Sequence, residues 1–347
     1  MPRYGLLLVN LGTPDGPSTA EVRSYLREFL SDPRVLDVHP IQRALVLNLF
    51  ILPFRPRKSA EAYGQIWTDR GSPLLFHGQD LAKKLQKKLG PEVAIELAMR
   101  YKNPSIRQAL LRLRELALDK LVVFPLFPQH SSAAWGSAVE KVMEEASVFW
   151  NVPSIQVVPP FYDHPAFLAS FAEQTKRVHE HFAPDFTLMS FHGLPERHVT
   201  KSDESDGTHC LGDGCCDTIV AANRNCYRAQ CFATARGIAR LVGLDESQYE
   251  VTFQSRLGRD PWIKPYTDLR VPALARKGVK RLAVLSPAFV ADCLETLEEI
   301  AIRARQDFID HGGQELRLVP SLNSDDHWVE AAAQIAREGT MLQQVAP

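Results

Sequence analysis

Short apolar runs recur along this chain without the polar alternation of a half-wet strand, and longer helical patterns separate them. Residues 5–10, 35–39, 94–99, 121–124, 155–158, 187–191, 249–254, 282–285 and 316–320 read as strands. Residues 18–30, 78–89, 105–118, 133–146, 164–181, 228–242, 293–305 and 326–339 read as helices between them. A strand that is apolar on both faces has to be covered on both. Strands of that kind separated by helices therefore predict an α/β fold, a mostly parallel sheet flanked by helices.

The order occurs twice. Leu6-Leu-Leu-Val-Asn-Leu-Gly-Thr-Pro14 is echoed by Leu188-Met-Ser-Phe-His-Gly-Leu-Pro195, and the helix-to-strand passage 113–125 by 274–286. Two echoes in one order predict two Rossmann-like lobes with a cleft between them: residues 1–150, then 151–322 with a cysteine-rich insertion at 209–231. A closing helix within 323–347 follows the last strand, free to pack back onto the first lobe.

Lys plus Arg (40) balances Asp plus Glu (41), so composition gives no support for a nucleic-acid partner. The start, Met-Pro-Arg-Tyr-Gly-Leu-Leu-Leu-Val, enters a strand without a signal-like apolar core, and no apolar run approaches the roughly 20 residues of a membrane span. The expected location is the cytoplasm. The longest apolar run, 44–54, is broken by Asn48 and Pro53 and reads as a core helix. A pocket lip or a peripheral membrane contact is its second reading.

Thr187-Leu-Met-Ser-Phe-His192-Gly-Leu-Pro195 puts an imidazole where Gly and Pro end a strand, so His192 is expected to project from a strand's carboxyl end, where open α/β sheets bind ligands. The alternative is a hydrogen-bonded structural histidine. In Arg281-Leu-Ala-Val-Leu-Ser-Pro-Ala-Phe-Val-Ala-Asp-Cys293-Leu-Glu295-Thr-Leu-Glu298-Glu299, a strand leads into an acidic helix start. Glu295 and Glu299 share a helix face and repel unless a cation or proton lies between them; otherwise they are a solvated, dipole-favoured start. Trp262, beyond the strand end at 254, suits either a flat ligand's pocket wall or a core.

Five of the six cysteines, Cys210, Cys215, Cys216, Cys226 and Cys231, form the pattern C-x4-C-C-x9-C-x4-C. Without secretion signals, metal or cluster binding is favoured over disulfides. The pattern lacks the paired C-x2-C knuckles of common zinc sites, while four thiolates suit a 2Fe-2S cluster; zinc and unliganded thiols are the alternatives. In an ideal helix Cys226 and Cys231 lie about 140° apart, so both face one cluster only if the helix begins near Cys226. One of Cys215 and Cys216 is spare, and the matching C-x4-C halves mildly favour Cys215 as the ligand.

Several separate stretches, in order, resemble the ferrochelatases: Leu8-Val-Asn-Leu-Gly-Thr-Pro14, Tyr25-Leu-Arg-Glu-Phe-Leu-Ser-Asp-Pro-Arg-Val35, Ile66-Trp-Thr-Asp-Arg-Gly-Ser-Pro73, Phe124-Pro-Leu-Phe-Pro-Gln129, Ser190-Phe-His-Gly-Leu-Pro195, Thr252-Phe-Gln-Ser-Arg256 and Phe289-Val-Ala-Asp-Cys-Leu-Glu-Thr-Leu297. The resemblance implies a lyase of haem biosynthesis that inserts Fe(II) into protoporphyrin IX to give protohaem and two protons. It implies His192 as the active-site histidine, Glu295 as the acid facing it and Glu299 as the next acid, with iron as a passing substrate on these three. Arg55, Tyr63 and Ser72 fall where ferrochelatases contact the porphyrin, Trp262 matches a pocket-wall aromatic, and Arg57 and Lys58 stand beside Arg55 as further cations for propionates. Cys293 departs from the His that many relatives carry there. Some bacterial ferrochelatases hold a 2Fe-2S cluster on internal cysteines, which is similar to this segment. Two other functions stay open at this point: another tetrapyrrole chelatase, of the cobalt or sirohydrochlorin type, and a non-catalytic tetrapyrrole-binding or iron–sulfur sensor.

Overall fold

A computed structural model describes residues 3–338 apart from 257 and 259. The described chain forms two compact units, one of residues 3–127, 132–159 and 324–338, the other of 128–131 and 160–323. In the first, β1 (Tyr4–Gly12), β2 (Val93–Tyr101), β3 (Lys120–Pro125) and β4 (Ser154–Val157) make a parallel sheet ordered β2-β1-β3-β4. In the second, β5 (Phe186–His192), β6 (Tyr249–Gln254), β7 (Arg281–Leu285) and β8 (Glu315–Leu318) repeat it as β6-β5-β7-β8, again parallel.

Burial explains the continuous apolar runs. Leu6, Leu7, Leu8 and Val9 are all fully buried, so successive side chains pointing to opposite faces of β1 each meet a helical layer. Leu282, Ala283, Val284 and Leu285 repeat this on β7. In each unit the chain leaves its first strand, adds a neighbour on one side, then crosses to the other. The carboxyl ends of β1 and β5 are therefore topological switch points.

Two expectations are corrected. Residues 35–39 form no strand: Val35 N–H and Leu36 N–H both donate to the Asp32 carbonyl (3.1 and 3.0 Å), closing a turn between Pro33 and Pro40. Residues 44–54 are helical, as Pro40–Leu45 followed by a π-helix Val46–Ile51, but they are not a core helix. Leu47 and Leu52 are buried, whereas Leu45, Leu49, Phe50 and Phe54 are exposed, the last to 75%. A run that is apolar all round can bury only the side that packs. The expected helix at 293–305 is also tripartite, with a π-helical Leu297–Ala304 between Leu294–Thr296 and Arg305–Asp310. Helix Arg55–Ile66, with Pro56 in its first turn, was not legible in the periodicity.

The final helix, Asp326–Arg337, packs against helix Pro73–Leu89 of the first unit; Lys84–Asp326 and Lys88–Glu330 are ion pairs at 2.6 Å. Gly339, the expected end of this helix, lies outside the described residues. Residues 128–131 are fastened within the second unit. Gln129 Nε2 donates to Thr234 Oγ1 (3.0 Å) and His130 N–H to Gln230 Oε1 (2.5 Å). Among the described residues no helix is long and apolar enough to cross a membrane.

One buried charge braces the first unit. The Asp32 carboxylate accepts from Arg100 Nη2 (2.7 Å), Tyr101 Oη (2.8 Å), Ser137 Oγ (2.5 Å) and the Arg34 N–H (2.7 Å). Burial alone would raise its pKa, but the hydrogen bonds and the Arg100 charge outweigh it and hold the carboxyl below its ordinary 3.8. A depressed carboxylate contributes stability above its unfolded pKa and loses it as pH falls through the folded value. Asp32→Asn is accordingly expected to destabilise the protein by about 3 kcal/mol at pH 7 in urea unfolding, because it leaves the Arg100 charge uncompensated. The gap from wild type should narrow as pH is taken below 3.8.

Candidate active site

β5 ends at His192, and the next residue has no room for a side chain. A Cβ on Gly193 would lie 2.7 Å from the Gln254 carbonyl oxygen and 3.1 Å from Trp262 Cε3. The Gly193 N–H donates to that same carbonyl (2.8 Å), so the turn is drawn hard against the end of β6. The loop beyond it is pinned by a bridge between Pro195 and Trp262. Trp262 is thus set beside the histidine turn. In the first unit, Gly12 ends β1 in the same manner, at φ 126° and with a Cβ position 2.2 Å from the Tyr101 carbonyl oxygen.

The geometry determines the imidazole tautomer. His192 Nδ1 lies 2.6 Å from the Gly193 carbonyl oxygen, which can only accept, so Nδ1 carries the proton. In the neutral ring the lone pair is then on Nε2. The ring meets Phe289 edge-on, 6.2 Å between centroids and 69° between planes, and is half-buried.

The acidic segment is anchored at both ends. At its start, Thr296 Oγ1 donates to Asp292 Oδ1 (2.9 Å) and accepts from the Cys293 N–H (3.0 Å), while Asn323 Nδ2 donates to Asp292 Oδ2 (2.7 Å). Cys293, the departure noted above, is buried; burial pushes its thiol up, and a bond to the Glu295 carboxylate keeps the proton on sulfur. Four residues on, Glu299 accepts from the Ser255 N–H (2.9 Å), Ser255 Oγ (2.5 Å) and Gln254 Nε2 (3.2 Å). Ser255 stands at φ 66°, a conformation rare for a residue with a side chain, and there its amide and hydroxyl converge on one carboxylate. Gln254 Nε2 also donates to the Glu295 carbonyl (2.8 Å), and Gln254 is the register partner of His192. The histidine turn and the acidic helix are thereby brought together through one glutamine. Glu298 turns away to Arg303 (2.9 Å).

Arg55, Tyr63 and Ser72 belong to the first unit. Tyr63 is buried and meets Tyr25 and Trp67 edge-on, with centroids 6.4 and 6.2 Å apart. Ser72 Oγ accepts from Thr13 Oγ1 (2.8 Å), just past the β1 switch point. Ser72 lines a pocket of about 430 Å3 together with Pro14, Asp15, Trp67, Asn103 and Gln108. Arg55 opens its helix, and Arg57 pairs with Glu61 (3.4 Å) on its exposed side.

All six cysteines are free. Cys210, Cys215 and Cys226 line one cavity of about 10 Å3, and Cys215 Sγ is 3.6 Å from Cys216 Sγ. Cys226 is the N-cap of helix Tyr227–Val242. Its sulfur takes a hydrogen bond from Cys216, which with backbone donors of the first turn lowers its pKa. That same bond, with burial, raises the Cys216 thiol. Arg228 Nη1 lies 3.0 Å from Cys216 Sγ. Cys231 is fully buried against Tyr227, and burial raises it. The five thiols, a helix start and a guanidinium are a donor set that suits an anionic thiolate-bound cluster. Among the described residues, no group of three or more His, Cys, Asp or Glu side chains stands arranged to hold a metal ion.

Sequence reasoning did not single out Gln254, Ser255 or Thr13. Gln254 and Ser255 lie in Thr252-Phe-Gln-Ser-Arg256 at a strand end, and that position is the signal the sequence offers for them.

Two parallel four-stranded sheets whose order switches at their first strands define a chelatase-type fold. SirB from Bacillus subtilis with Fe3+ is similar to it, with a TM-score of 0.53 at 12% identity over 97% of this chain and 95% of that one; the likeness is one of fold. The ferrochelatase family model matches residues 3–340. A ferrochelatase of Coxiella burnetii is 46% identical over 98% of this chain and 95% of its own length, and one of Legionella pneumophila 46% over 97% and 99%. The chain belongs to the ferrochelatase family, lyases of haem biosynthesis with ferrous iron and a porphyrin as substrates.

Proposed function

We propose that this enzyme inserts Fe(II) into protoporphyrin IX, with His192 and Glu295 as the catalytic pair. Metallation exchanges two pyrrole N–H protons for one dication, so the site needs proton acceptors that work near neutral pH. The observation that carries the reading is the His192 tautomer: with Nδ1–H committed to the Gly193 carbonyl, Nε2 is left as the acceptor. Glu299 already receives three hydrogen bonds from protein donors, which supports Glu295 as the working acid and Glu299 as its anchored neighbour. Imidazole nitrogen and carboxylate oxygen also suit Fe(II), so His192, Glu295 and Glu299 are the residues that would pass the iron substrate on. On this reading Arg55, Tyr63, Ser72 and Trp262 contact the porphyrin, and Arg55, Arg57 and Lys58 meet its propionates. The ferrochelatase relatives support this reading over a sirohydrochlorin or cobalt enzyme and over a non-catalytic sensor.

Three further assignments belong to the same proposal. Four of Cys210, Cys215, Cys216, Cys226 and Cys231 hold a 2Fe-2S cluster, supported by the shared cavity of Cys210, Cys215 and Cys226 and by the bonds of Cys216 to Cys215 and Cys226. Six cysteines without a disulfide fit a reducing compartment, which supports a cytoplasmic location. Exposed Ile41, Leu45, Leu49, Phe50 and Phe54, close in sequence to Arg43, Arg57 and Lys58, support a peripheral contact with anionic lipid.

His192→Ala and Glu295→Gln are each expected to lower iron insertion by at least about a hundredfold, the scale of general acid–base catalysis. Porphyrin binding, followed by fluorescence quenching, should change little; activity near wild type in both variants overturns the pair. Protein purified anaerobically should be red-brown, with sulfur-to-iron charge-transfer bands and two irons and two sulfides per chain; colourless, iron-free protein counts against the cluster. Vesicles containing phosphatidylglycerol should sediment the protein at low salt, and Phe50→Ser with Phe54→Ser should release it. Equal sedimentation of wild type and double variant rules that contact out.

A further inference from the structure

Gln254 is buried to 2% exposure, and its polar atoms are committed in three directions. Its backbone carbonyl accepts the Gly193 N–H at 2.8 Å, which fixes the turn after His192. Its Oε1 accepts from Ser190 Oγ (2.8 Å), backed by the hydroxyls of Thr267 and Thr252. Its Nε2 donates to the Glu295 carbonyl (2.8 Å) and to Glu299 Oε2 (3.2 Å). The amide orientation follows from chemistry, since a carbonyl and a carboxylate accept only.

A glutamine that merely completed its sheet would spend its donors within that sheet. Here both amide hydrogens leave it for the acidic helix, while the main chain of the same residue holds the histidine turn. We propose that Gln254 is a positioning residue of the metallation reaction: its amide holds the acid-bearing helical turn in place relative to the histidine turn that its main-chain carbonyl fixes. This rests on the reading of His192 and Glu295 as the catalytic pair. Small displacements of reacting groups are costly: about 1 Å can lower a rate on the order of a hundredfold.

Two variants keep the backbone carbonyl and alter only the amide. Gln254→Met preserves length and removes the donors. Gln254→Glu preserves shape and turns an oxygen towards the Glu295 carbonyl and the Glu299 carboxylate. Initial rates of Fe(II) insertion are measured per active site, with sites counted by porphyrin-binding titration so that unfolded protein does not enter. The expected result is a fall in kcat of about 10- to 100-fold, larger for Gln254→Glu, with KM for porphyrin within about twofold of wild type. A kcat within twofold of wild type in either variant overturns the proposal, as does a loss confined to KM. If His192→Ala and Glu295→Gln keep their activity, the catalytic pair itself fails; if they lose it while the Gln254 variants do not, only the positioning role fails.

Discussion

Coverage of both faces of a parallel sheet is the constraint on which the rest depends. Because Leu6, Leu7, Leu8 and Val9 are all buried, β1 can function only as an interior strand, and an interior first strand forces its neighbours to arrive from opposite sides. Beyond its carboxyl end the flanking connections diverge and expose backbone groups to whatever lies there. The same holds at β5, where His192 stands. The candidate site's location is thus a by-product of strand order, and the chemistry proposed for it is what the residues after the strand make of that position.

Those residues solve a packing problem before a chemical one. Gly193 lets the chain approach the Gln254 carbonyl, and the strained Ser255 gathers two donors onto Glu299. Ser255 sits at φ 66°, so its clamp on Glu299 has to be maintained by the surrounding packing. The cysteine segment is organised differently. Cys210, Cys215 and Cys226 line one cavity between turns and a helix start, and Cys216 lies beside Cys215.

Much of this was legible in the sequence. Burial on two faces leaves a direct trace in composition, which is why residues 94–99, 187–191 and 282–285 read as strands and are strands. Residues 35–39 show the same trace but lack a partner strand, and the carbonyl of Asp32 closes them into a turn instead. The run 44–54 misled for the opposite reason: apolar residues imply burial only when something covers them, and nothing in a sequence records the missing cover. His192 and Glu295 could be proposed because strand ends and acidic helix starts have local signatures. Gln254 could not, since its importance lies in which elements its amide reaches, and a glutamine at a strand end is locally unremarked. The contacts of Cys216 with Cys226 and Arg228 are likewise invisible in spacing.

The placement of helix Asp326–Arg337 has a consequence for biogenesis. A ribosome delivers the amino terminus first, so helix Pro73–Leu89 leaves the exit tunnel long before the segment carrying Trp328, Val329 and Ile335 that packs against it. Until residues 326–337 emerge, the first unit lacks the cover of that helix, while residues 160–323 and the earlier stretch 128–131 make up the second unit. A chain cut before residue 326 would lack that helix and leave the face of helix Pro73–Leu89 that it covers open to water.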